Sequence, residues 1–347
     1  MTTLRNATNR QIVLRKRANG LPTPDLFEAA VGAVPTPGEG EVLVHNVYVS
    51  VDTGMKGWIS TAKNYASVET GAVMNSFGVG EVVESHLPGI AAGDYVFGHT
   101  GWQEFGIAKP SQAGFRKVDL ARGPLSTALG ALGHIGVTAY FGLLDIGQPR
   151  EGETVLVSTA AGAVGSAVGQ IAKIKGCRTV GIAGGPVKTA LCREAFGYDA
   201  AVDYKTTDDL AAALRAACPD GVDVFYDNVG GRILDTVIGL MRVGGRIVVC
   251  GTAGTESWNP PPTGMRLERA MLVNRLRMQG FIVFDYKDRN NEALEDLYRW
   301  YAEGRLVYRE DIGDGLEQAP RMLAGLYRGE NTGRALVRVR PDPTARS

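Results

Sequence analysis

The 347-residue chain has few cysteines and few histidines, and it has no net charge. Its four cysteines, Cys177, Cys192, Cys218 and Cys250, lie far apart without a Cys-x-x-Cys pair, which argues against a disulfide framework and a zinc knuckle. Free cysteines are typical of a reducing compartment, so we expect a cytoplasmic protein. The basic segment at residues 1–17 lacks the apolar core of a secretory signal, in agreement with that expectation.

Lysine plus arginine and aspartate plus glutamate both number 37, so the formal net charge is zero. A chain without a net field has no general attraction for nucleic acid or for an anionic membrane, and we expect neither as a partner. Two uncharged stretches, residues 123–144 and 154–172, are long enough to cross a bilayer. Glycines and polar residues interrupt both, which favours buried segments of an α/β domain over membrane spans.

Glycine, in contrast, is abundant, with 46 residues. The glycines follow no Gly-X-Y period, which excludes collagen, and a hydrophobic fraction of 44% excludes a disordered chain. Many of them must therefore serve tight turns or places where the backbone closely approaches another group.

The spacing of apolar runs divides the chain into two parts of different class. Up to residue 124, short runs such as 41–51, 79–85 and 94–98 alternate with Gly/Pro turns, which predicts an antiparallel, barrel-like β domain. Between residues 125 and 301, strand candidates alternate with helical segments, which is typical of a doubly wound parallel sheet. The six candidates are residues 154–159, 179–183, 200–203, 222–226, 246–250 and 278–284. The tail, with a last strand at 335–339, is expected to close back onto the first domain.

The first strand of this alternation leads into a glycine-rich turn, Ala160-Ala-Gly162-Ala-Val-Gly165, and a helix follows. In dinucleotide-binding folds such a turn brings backbone N–H groups and a helix N-terminus to the pyrophosphate. Gly162 and Gly165 suit the tight turn and the close approach, and Gly169 is expected to let the helix pack near the strand. Ala160 replaces the first glycine of the usual Gly-x-Gly-x-x-Gly pattern, and a ligand-free strand–helix turn is the alternative.

The residues after the second strand distinguish between the two nicotinamide dinucleotides. NAD-binding proteins usually carry an acid there, which holds the ribose 2′-hydroxyl. Residues 181–188 contain no acid, whereas Lys188 is a cation that can meet a 2′-phosphate, with Tyr204 and Lys205 at the end of the third strand nearby. A solvated Lys188 is the alternative, but the combined pattern favours NADPH over NADH.

No metal site is expected. The four histidines, His45, His86, His99 and His134, form no cluster with ligand spacing. Residues 77–81, Phe-Gly-Val-Gly-Glu, lack the histidine of the Gly-His-Glu that zinc alcohol dehydrogenases carry. Without a Lewis acid an alkoxide is difficult to stabilise, so hydride addition to an activated C=C bond is favoured over interconversion of alcohols and ketones.

Several segments are similar to those of a known family. They are residues 136–149, 160–176, 226–231, 279–283, 308–320 and 329–337. Together they resemble the zinc-independent medium-chain dehydrogenase/reductases, and most closely the group of leukotriene B4 12-hydroxydehydrogenase, prostaglandin reductase and curcumin reductase.

The resemblance implies an α/β protein with two domains and usually a homodimer. A GroES-like β-rich catalytic domain would comprise residues 1–124 and 302–347, and a Rossmann NADP-binding domain residues 125–301. The implied reaction is NADPH-dependent reduction of the C=C bond of α,β-unsaturated ketones or aldehydes, with hydride added to the β-carbon to give an enolate.

The resemblance also assigns cofactor contacts by position. The matching positions are Gly162, Ala163, Val164 and Gly165 for the pyrophosphate, Lys188 and Tyr204 for the 2′-phosphate, Asn228 after the fourth strand, Cys250, Gly251 and Thr252 in the loop beside the nicotinamide, Phe281, Ile282 and Val283 along the nicotinamide ribose, and Asn331 in the tail.

Three positions depart from the family pattern. Gly54 stands where relatives carry a tyrosine, in Ser-Val-Asp-Thr-Gly-Met-Lys at 50–56, and Glu256 replaces a second tyrosine that is regarded as a proton donor or enolate stabiliser. His134 lies in Gly-His-Ile-Gly where relatives read Gly-Met-Pro-Gly. We therefore expect a modified set of catalytic groups, Tyr65, His134 and Glu256.

Each of these groups has an alternative role. His134 can be a hydrogen-bonded core histidine, Glu256 can be a substrate selector or a carboxyl that stays protonated, and Trp258 or the nicotinamide ribose hydroxyl with water can supply the proton. The loss of both tyrosines also leaves two other functions open. One is a diverged quinone, carbonyl or alcohol oxidoreductase, or a specialised biosynthetic reductase; the other is a cofactor-binding protein without turnover.

Overall fold

The chain folds into two compact units. The computed structural model describes residues 7–62 and 64–345. The first unit comprises the residues up to Gly133 together with those from Glu310 onward, and the second unit is His134–Arg309. The predicted junctions, after residues 124 and 301, both lie before the observed ones.

Hydrogen bonds explain why the junctions differ from the prediction. The 3₁₀-helix Leu125–Leu129 stays with the first unit, because the Arg334 guanidinium donates to the Leu129 carbonyl at 2.8 Å and Ser126 Oγ donates to Glu310 Oε2 at 2.8 Å. The segment before Glu310 stays with the second unit, because the main chain of Val307 pairs both ways with the Gln170 side chain, at 2.8 and 2.9 Å. The sequence prediction placed the junctions where the composition changes, and composition gives no information about these distant partners.

Fifteen strands and nine α-helices lie within the described residues. The strands are β1 (Thr8–Leu14), β2 (Phe27–Ala33), β3 (Val42–Ser50), β4 (Gly78–Ser85), β5 (Tyr95–Gly98), β6 (Phe105–Ala108), β7 (Arg116–Lys117), β8 (Thr154–Ser158), β9 (Arg178–Ala183), β10 (Ala200–Asp203), β11 (Val222–Asp227), β12 (Met241–Val249), β13 (Arg277–Gly280), β14 (Glu310–Asp314) and β15 (Arg334–Arg338). The α-helices are α1 (Met55–Ile59), α2 (His134–Phe141), α3 (Ala163–Ile174), α4 (Pro186–Glu194), α5 (Leu210–Ala217), α6 (Gly231–Val237), α7 (Glu268–Asn274), α8 (Asn290–Ala302) and α9 (Ala319–Arg328).

The first unit is built on a seven-stranded sheet of order β14-β15-β3-β4-β5-β7, in which β6 also pairs with β3. Its central strand β3 reads Val-Leu-Val-His-Asn-Val-Tyr-Val-Ser, and such β-branched residues favour a pleated, buried strand. The antiparallel pairing of β15 with β3 confirms that the tail returns to the first domain. The pairing of β1 with β2 was not predicted, because β2 is largely exposed and consists mainly of alanine and glycine, which are weak strand formers.

The second unit is a six-stranded parallel sheet of order β10-β9-β8-β11-β12-β13, and it confirms the predicted doubly wound sheet. Its core contains apolar side chains from successive strands, among them Leu156, Val180, Phe225 and Ile247. The last strand is shorter than the predicted 278–284, because the chain turns into the 3₁₀-helix Val283–Arg289.

The strand order locates the expected ligand crevice. The chain moves from β8 to β9 on one side of the sheet and later returns to β11 on the other side. In open α/β sheets ligands bind outside the carboxyl ends of the strands where the order reverses. A cofactor site is therefore expected at the ends of β8 and β11, at Ser158 and Asp227.

Within residues 7–62 and 64–345, no helix combines the length and the apolar character that a membrane crossing requires.

Candidate active site

The turn after β8 ends at the N-terminus of α3. Thr159 has a positive φ of 54°, and Gly162 occupies the N-cap position of α3. Gly162 has no side chain that could cap the helix, and no other side chain of the described residues does so. The first N–H groups of α3 are therefore available to an anionic ligand, which the helix dipole also favours.

The two glycines of this turn leave no room for side chains. A β-carbon on Gly165 would lie 2.3 Å from the Thr159 carbonyl oxygen and 2.9 Å from the Ala160 Cα. A β-carbon on Gly162 would lie 2.8 Å from Thr159 Cγ2. Since Gly165 meets backbone atoms, which cannot yield, the turn requires glycine there. A tight backbone cradle at a helix N-terminus fits a dinucleotide pyrophosphate.

Gly169 has a different role from the predicted one. A β-carbon there would lie 2.1 Å from Cζ of Tyr198, so the glycine makes room for this ring rather than for the strand. The buried Tyr198 hydroxyl donates to the Gly165 carbonyl at 2.6 Å, and this hydrogen bond stabilises the first turn of α3. Tyr198 was missed because it lies in a loop before the short strand β10, where no motif marks it.

The turn after β9 lies beside the end of β10. The Asp203 carboxylate accepts hydrogen bonds from the N–H groups of Gly185 and Lys205, at 2.8 and 2.9 Å. A β-carbon on Gly184 would lie 3.0 Å from both Tyr204 Cε1 and Lys205 Cε. The structure thus brings Tyr204 and Lys205 against the turn that leads into α4.

Lys188 lies in the first half of α4 and is half-buried, whereas Tyr204 is 43% exposed. The predicted 2′-phosphate residues therefore belong to two neighbouring segments, α4 and the end of β10. An accessible phenol and cations beside a glycine turn form a donor set suited to a phosphate monoester.

Asp227, at the carboxyl end of β11, organises the centre of the crevice. Its buried carboxylate accepts hydrogen bonds from Ser158 Oγ at 2.8 Å, from the Val229 N–H at 2.9 Å and from the Gly230 N–H at 3.0 Å. Burial raises the pKa of Asp227, and the three donors oppose this effect. The sequence prediction missed Asp227 and Ser158, although each is the last residue of its strand, the place where such groups collect.

Asn228 is fixed by Ser158. Its side-chain Nδ2 donates to the Ser158 carbonyl at 2.7 Å, and its main-chain N–H donates to Ser158 Oγ at 2.8 Å. The loop after β12 rests on Asn228, since the Ala253 N–H donates to the Asn228 carbonyl at 3.2 Å and a β-carbon on Gly251 would lie 2.9 Å from the same oxygen. Three predicted segments, at β8, β11 and β12, therefore meet at one edge of the sheet.

The remaining residues of that loop differ in exposure. Cys250 is half-buried beside Tyr226, and burial raises the pKa of its thiol to about 11. At neutral pH it is a neutral thiol and therefore a poor nucleophile. Thr252 and Glu256 are exposed, so the carboxylate of Glu256 is presented to solvent.

Phe281 lies beside Tyr226 and the end of α2. A β-carbon on Gly142 would meet both rings, at 2.6 Å from Phe281 Cζ and 2.5 Å from the Tyr226 hydroxyl oxygen. The Tyr226 hydroxyl donates to the Thr138 carbonyl at 3.0 Å, which ties β11 to α2. Ile282 and Val283 follow as half-buried residues at the start of a 3₁₀-helix.

His134 is the first residue of α2 and is half-buried. Its carbonyl accepts a hydrogen bond from Thr138 Oγ1 at 2.7 Å, which closes the first turn of the helix. The same helix, α2, accepts the hydrogen bond from Tyr226 at the Thr138 carbonyl. Helix α2 therefore connects His134 to strand β11.

In the first unit, Tyr65 lies over the glycine that replaces the expected tyrosine. A β-carbon on Gly54 would lie 3.4 Å from the Tyr65 hydroxyl oxygen, while the Tyr65 side chain remains 56% exposed. The hydroxyl of Tyr327, on α9, donates to the Thr53 carbonyl at 2.5 Å. Two phenols therefore flank Gly54. The sequence did not predict this arrangement, because Tyr327 lies far from Gly54 along the chain.

A buried ion pair holds the segment before Gly54. Arg334 Nη1 lies 2.5 Å from Asp52 Oδ1, and the two side chains are only 6% and 14% exposed. Ser50 Oγ donates to the other carboxylate oxygen of Asp52 at 2.5 Å. Asn331, the predicted tail contact, lies three residues before Arg334, and its Nδ2 donates to the Gly333 carbonyl at 2.9 Å.

The predicted residues are divided between the units. Tyr65 and Asn331 belong to the first unit, and the other predicted residues belong to the second. Among the described residues, no group of three or more His, Cys, Asp or Glu side chains is arranged to hold a metal ion.

Two family models match the chain. The model described as the N-terminal domain of oxidoreductase covers residues 10–118, and the model described as zinc-binding dehydrogenase covers residues 163–300. The two matches correspond to the β-rich first unit and the parallel sheet of the second.

Individual relatives match over nearly the whole chain. The chain is 44% identical to the NADPH-dependent curcumin reductase of Escherichia coli, over 96% of this chain and 98% of that protein. It is 39% identical to the NADP(+)-dependent 2-alkenal reductase of Nicotiana tabacum, over 96% and 98%. The crystal structure of CurA from Vibrio vulnificus in complex with NADPH superimposes with a TM-score of 0.90 at 40% identity, over 96% of this chain and 100% of that one.

Proposed function

The chain belongs to the zinc-independent medium-chain dehydrogenase/reductases, and from this membership we propose that it reduces the C=C bond of α,β-unsaturated ketones or aldehydes with NADPH. It is an NADP-dependent oxidoreductase. The observation that carries the proposal is the turn from Thr159 to Gly165, where backbone alone fits between β8 and α3. Relatives that share this architecture over their full length are named for reduction of curcumin and of 2-alkenals.

The chain's own residues supply the binding and the electrostatics. Bound NADPH supplies a hydride for the β-carbon of the enone. The N–H groups at Ala163, Val164 and Gly165 hold the pyrophosphate. Ser158, which donates to Asp227, fixes the orientation of Asn228. The carbonyl oxygen of the substrate gains negative charge as hydride arrives, so a hydrogen-bond donor must be placed at that oxygen.

The other predicted cofactor contacts are proposed for the same ligand. Lys188 and Tyr204 bind the 2′-phosphate. Further contacts come from the residues that the family pattern assigns, Gly162, Cys250, Gly251, Thr252, Phe281, Ile282, Val283 and Asn331.

The reaction is tested by incubating the protein with NADPH and a panel of enones and enals. We expect the near-ultraviolet absorbance of NADPH to fall, and mass spectrometry and NMR to show a saturated Cα–Cβ bond with the carbonyl retained. NADH should be a poor substitute. A product in which the carbonyl is reduced instead would contradict the proposal.

A diverged activity is the second candidate, and one observation favours it. Both positions where relatives carry tyrosine are changed, to Gly54 and to Glu256. Reduction of quinones, or of carbonyl groups, in preference to C=C bonds would support this candidate. NADPH binding without turnover on any of these substrates would instead indicate a cofactor-binding protein.

We expect Lys188 to determine the preference for NADPH over NADH. Replacing Lys188 with alanine should weaken NADPH binding about tenfold or more, because a charge-assisted hydrogen bond contributes about 1.5–3 kcal/mol. NADH lacks the 2′-phosphate, so its affinity should stay nearly constant. Fluorescence titration of both cofactors measures the ratio, and Lys287→Ala, at an exposed lysine, is the control. An equal loss for both cofactors would place Lys188 outside the 2′-phosphate site.

Tyr65 is proposed as the donor to the substrate oxygen, because its side chain is largely exposed and its hydroxyl lies over Gly54. Tyr65→Phe should lower kcat for enones about 100-fold, the lower end of the usual contribution of a positioned proton donor. Gly54 has φ −57°, which any residue adopts, so Gly54→Tyr in the Tyr65→Phe background should restore part of the activity. Tyr95→Phe, in the same unit, is the control. Unchanged kcat in Tyr65→Phe would rule out this role.

His134 and Glu256 complete the proposed catalytic set. His134, at the start of α2, is a titratable group where relatives have methionine. The exposed Glu256 suits a substrate selector that disfavours anionic substrates, because like charges repel. Comparing an enone acid with its methyl ester in Glu256→Gln tests this: the preference for the ester should diminish, and an unchanged ratio would contradict the role.

A homodimer is proposed at the edge of the second sheet. Among the described residues, β13 pairs only with β12, and exposed apolar side chains lie nearby on α7 and β12, namely Val243, Leu272 and Val273. Pairing of two β13 edges would cover both features. Light scattering coupled to size exclusion should give twice the mass of 36.9 kDa, and a monomer would refute it.

A cytoplasmic location is proposed on the four cysteines, all of which are free. Thiols that are not paired are stable in a reducing compartment. Cell fractionation that recovers the protein outside the cytoplasm would contradict this proposal.

A further inference from the structure

Lys56, on the short helix α1, is a lysine that lies almost entirely inside the first unit, with 2% of its surface exposed. Lysines are rarely buried to this extent, because removing an ammonium group from water is costly unless other groups compensate it. Its Nζ lies 5.4 Å from the centroid of the Tyr327 ring, within the distance of a cation–π interaction. The ring face of Tyr327 is therefore one of the groups placed to stabilise an ammonium group at Lys56.

Tyr327 is anchored to the segment that carries Lys56. Its hydroxyl donates to the Thr53 carbonyl, so the ring is anchored to the segment that carries both Gly54 and Lys56. Burial raises the pKa of Tyr327, and the neighbouring Tyr65 phenol adds to the effect. Tyr327 therefore remains a neutral phenol whose hydroxyl is already used by the backbone.

Tyr65 is the phenol of this group that reaches solvent. Its hydroxyl lies against Gly54, and the Tyr327 hydroxyl is bonded to Thr53, the preceding residue, so both phenols approach the same short segment. We call Gly54, Lys56, Tyr65 and Tyr327 the Gly54 cluster. It consists of a buried lysine, a ring bonded to the main chain and a largely exposed tyrosine around a residue without a side chain.

We propose that Lys56 supplies the fixed positive charge of the oxygen-binding site at Tyr65, and that Tyr327 positions this charge. The proposal rests on the proposed function, since the anion it stabilises is the enolate oxygen of the reduced enone. A charge held in place by the protein stabilises developing negative charge without the reorganisation that water dipoles require. The same site should therefore bind a phenolate, which mimics an enolate, in preference to the neutral phenol.

The test uses 4-nitrophenol as the probe, because its phenolate has its own absorbance band. The full chain, with NADP⁺ present, is titrated with 4-nitrophenol over a range of pH. In the wild-type protein we expect the phenolate to bind more tightly than the phenol. Lys56→Met should reduce this preference about tenfold, which corresponds to about 1.4 kcal/mol, whereas Lys56→Arg, which keeps the charge, should retain it. Lys16→Met, at an exposed ion-paired lysine, is the control.

Kinetics with the enone supply a second readout. Lys56→Met should lower kcat about tenfold with an unchanged KM for NADPH, and Lys56→Arg should restore kcat. Circular dichroism establishes that each variant is folded. An unchanged phenolate preference in folded Lys56→Met, equal losses in the Met and Arg variants, or no phenolate binding to the wild-type protein would overturn the proposal.

The two proposals fail separately. If the wild-type protein reduces no enone, the proposed function fails, and the 4-nitrophenol titration still decides whether Lys56 supplies the charge. If enones are reduced and the phenolate preference does not depend on Lys56, the proposed function stands and the Lys56 proposal fails.

Discussion

NADPH binding is expected to be almost completely lost when Gly165 is replaced with alanine. The added β-carbon would lie 2.3 Å from the Thr159 carbonyl oxygen and 2.9 Å from the Ala160 Cα, and neither backbone atom can move without opening the turn. Overpacking of this kind costs about 3 kcal/mol, so the cofactor affinity should fall about 100-fold or more. Fluorescence titration with NADPH measures the loss.

Gly239 provides a matched control for this substitution. It lies in the same unit, and a β-carbon there would meet no atom within 4 Å. Gly239→Ala should therefore leave NADPH binding and thermal stability nearly unchanged. If Gly165→Ala binds NADPH as tightly as Gly239→Ala does, the turn does not cradle the pyrophosphate.

Replacing Arg334 with methionine is expected to destabilise the protein by about 3–5 kcal/mol, because it leaves the buried Asp52 carboxylate without its cation. The substitution also removes the donor to the Leu129 carbonyl, which holds the 3₁₀-helix Leu125–Leu129 to the first unit. Chemical denaturation measures the free energy of unfolding. Because Asp52 directly precedes Thr53 and Gly54, kcat with enones should fall as well.

Two comparisons separate charge burial from a general loss of packing. Arg266→Met breaks an ion pair whose arginine side chain is 88% exposed, and it should cost less than about 1 kcal/mol. The double variant Asp52→Asn/Arg334→Met removes both buried charges, so it should be more stable than Arg334→Met alone. A double variant that is less stable by the sum of the single effects would show that the pair is not coupled.

Much of the fold could be predicted because its signals are local. Apolar strands such as β8 and β11 alternate with helices, and this alternation is visible within short windows of sequence. The pairing of β1 with β2 was missed for the corresponding reason, since the alanines and glycine of β2 give a weak strand signal and the strand depends on its pairing with β1. The domain junctions were displaced because distant hydrogen bonds, such as that of Gln170 with Val307, determine them.

The candidate site was predicted unevenly. Gly162 and Gly165 could be assigned because a phosphate-binding turn imposes a fixed spacing between a strand and a helix. Tyr198 could not be assigned, because its hydrogen bond to Gly165, far along the chain, leaves no pattern near the residue itself. Asp227 was missed although its position at the end of a strand was a signal.

The sequence by itself determined the fold class, the dinucleotide turn and the preference for NADPH, because each depends on residues that are neighbours along the chain. The tertiary structure alone decided which side chains share a site. It set Tyr65 over Gly54, brought the buried Lys56 to the ring of Tyr327, and paired Asp52 with Arg334. These contacts join segments that are distant in the sequence, and only the packing of the sheet and its loops fixes their distances.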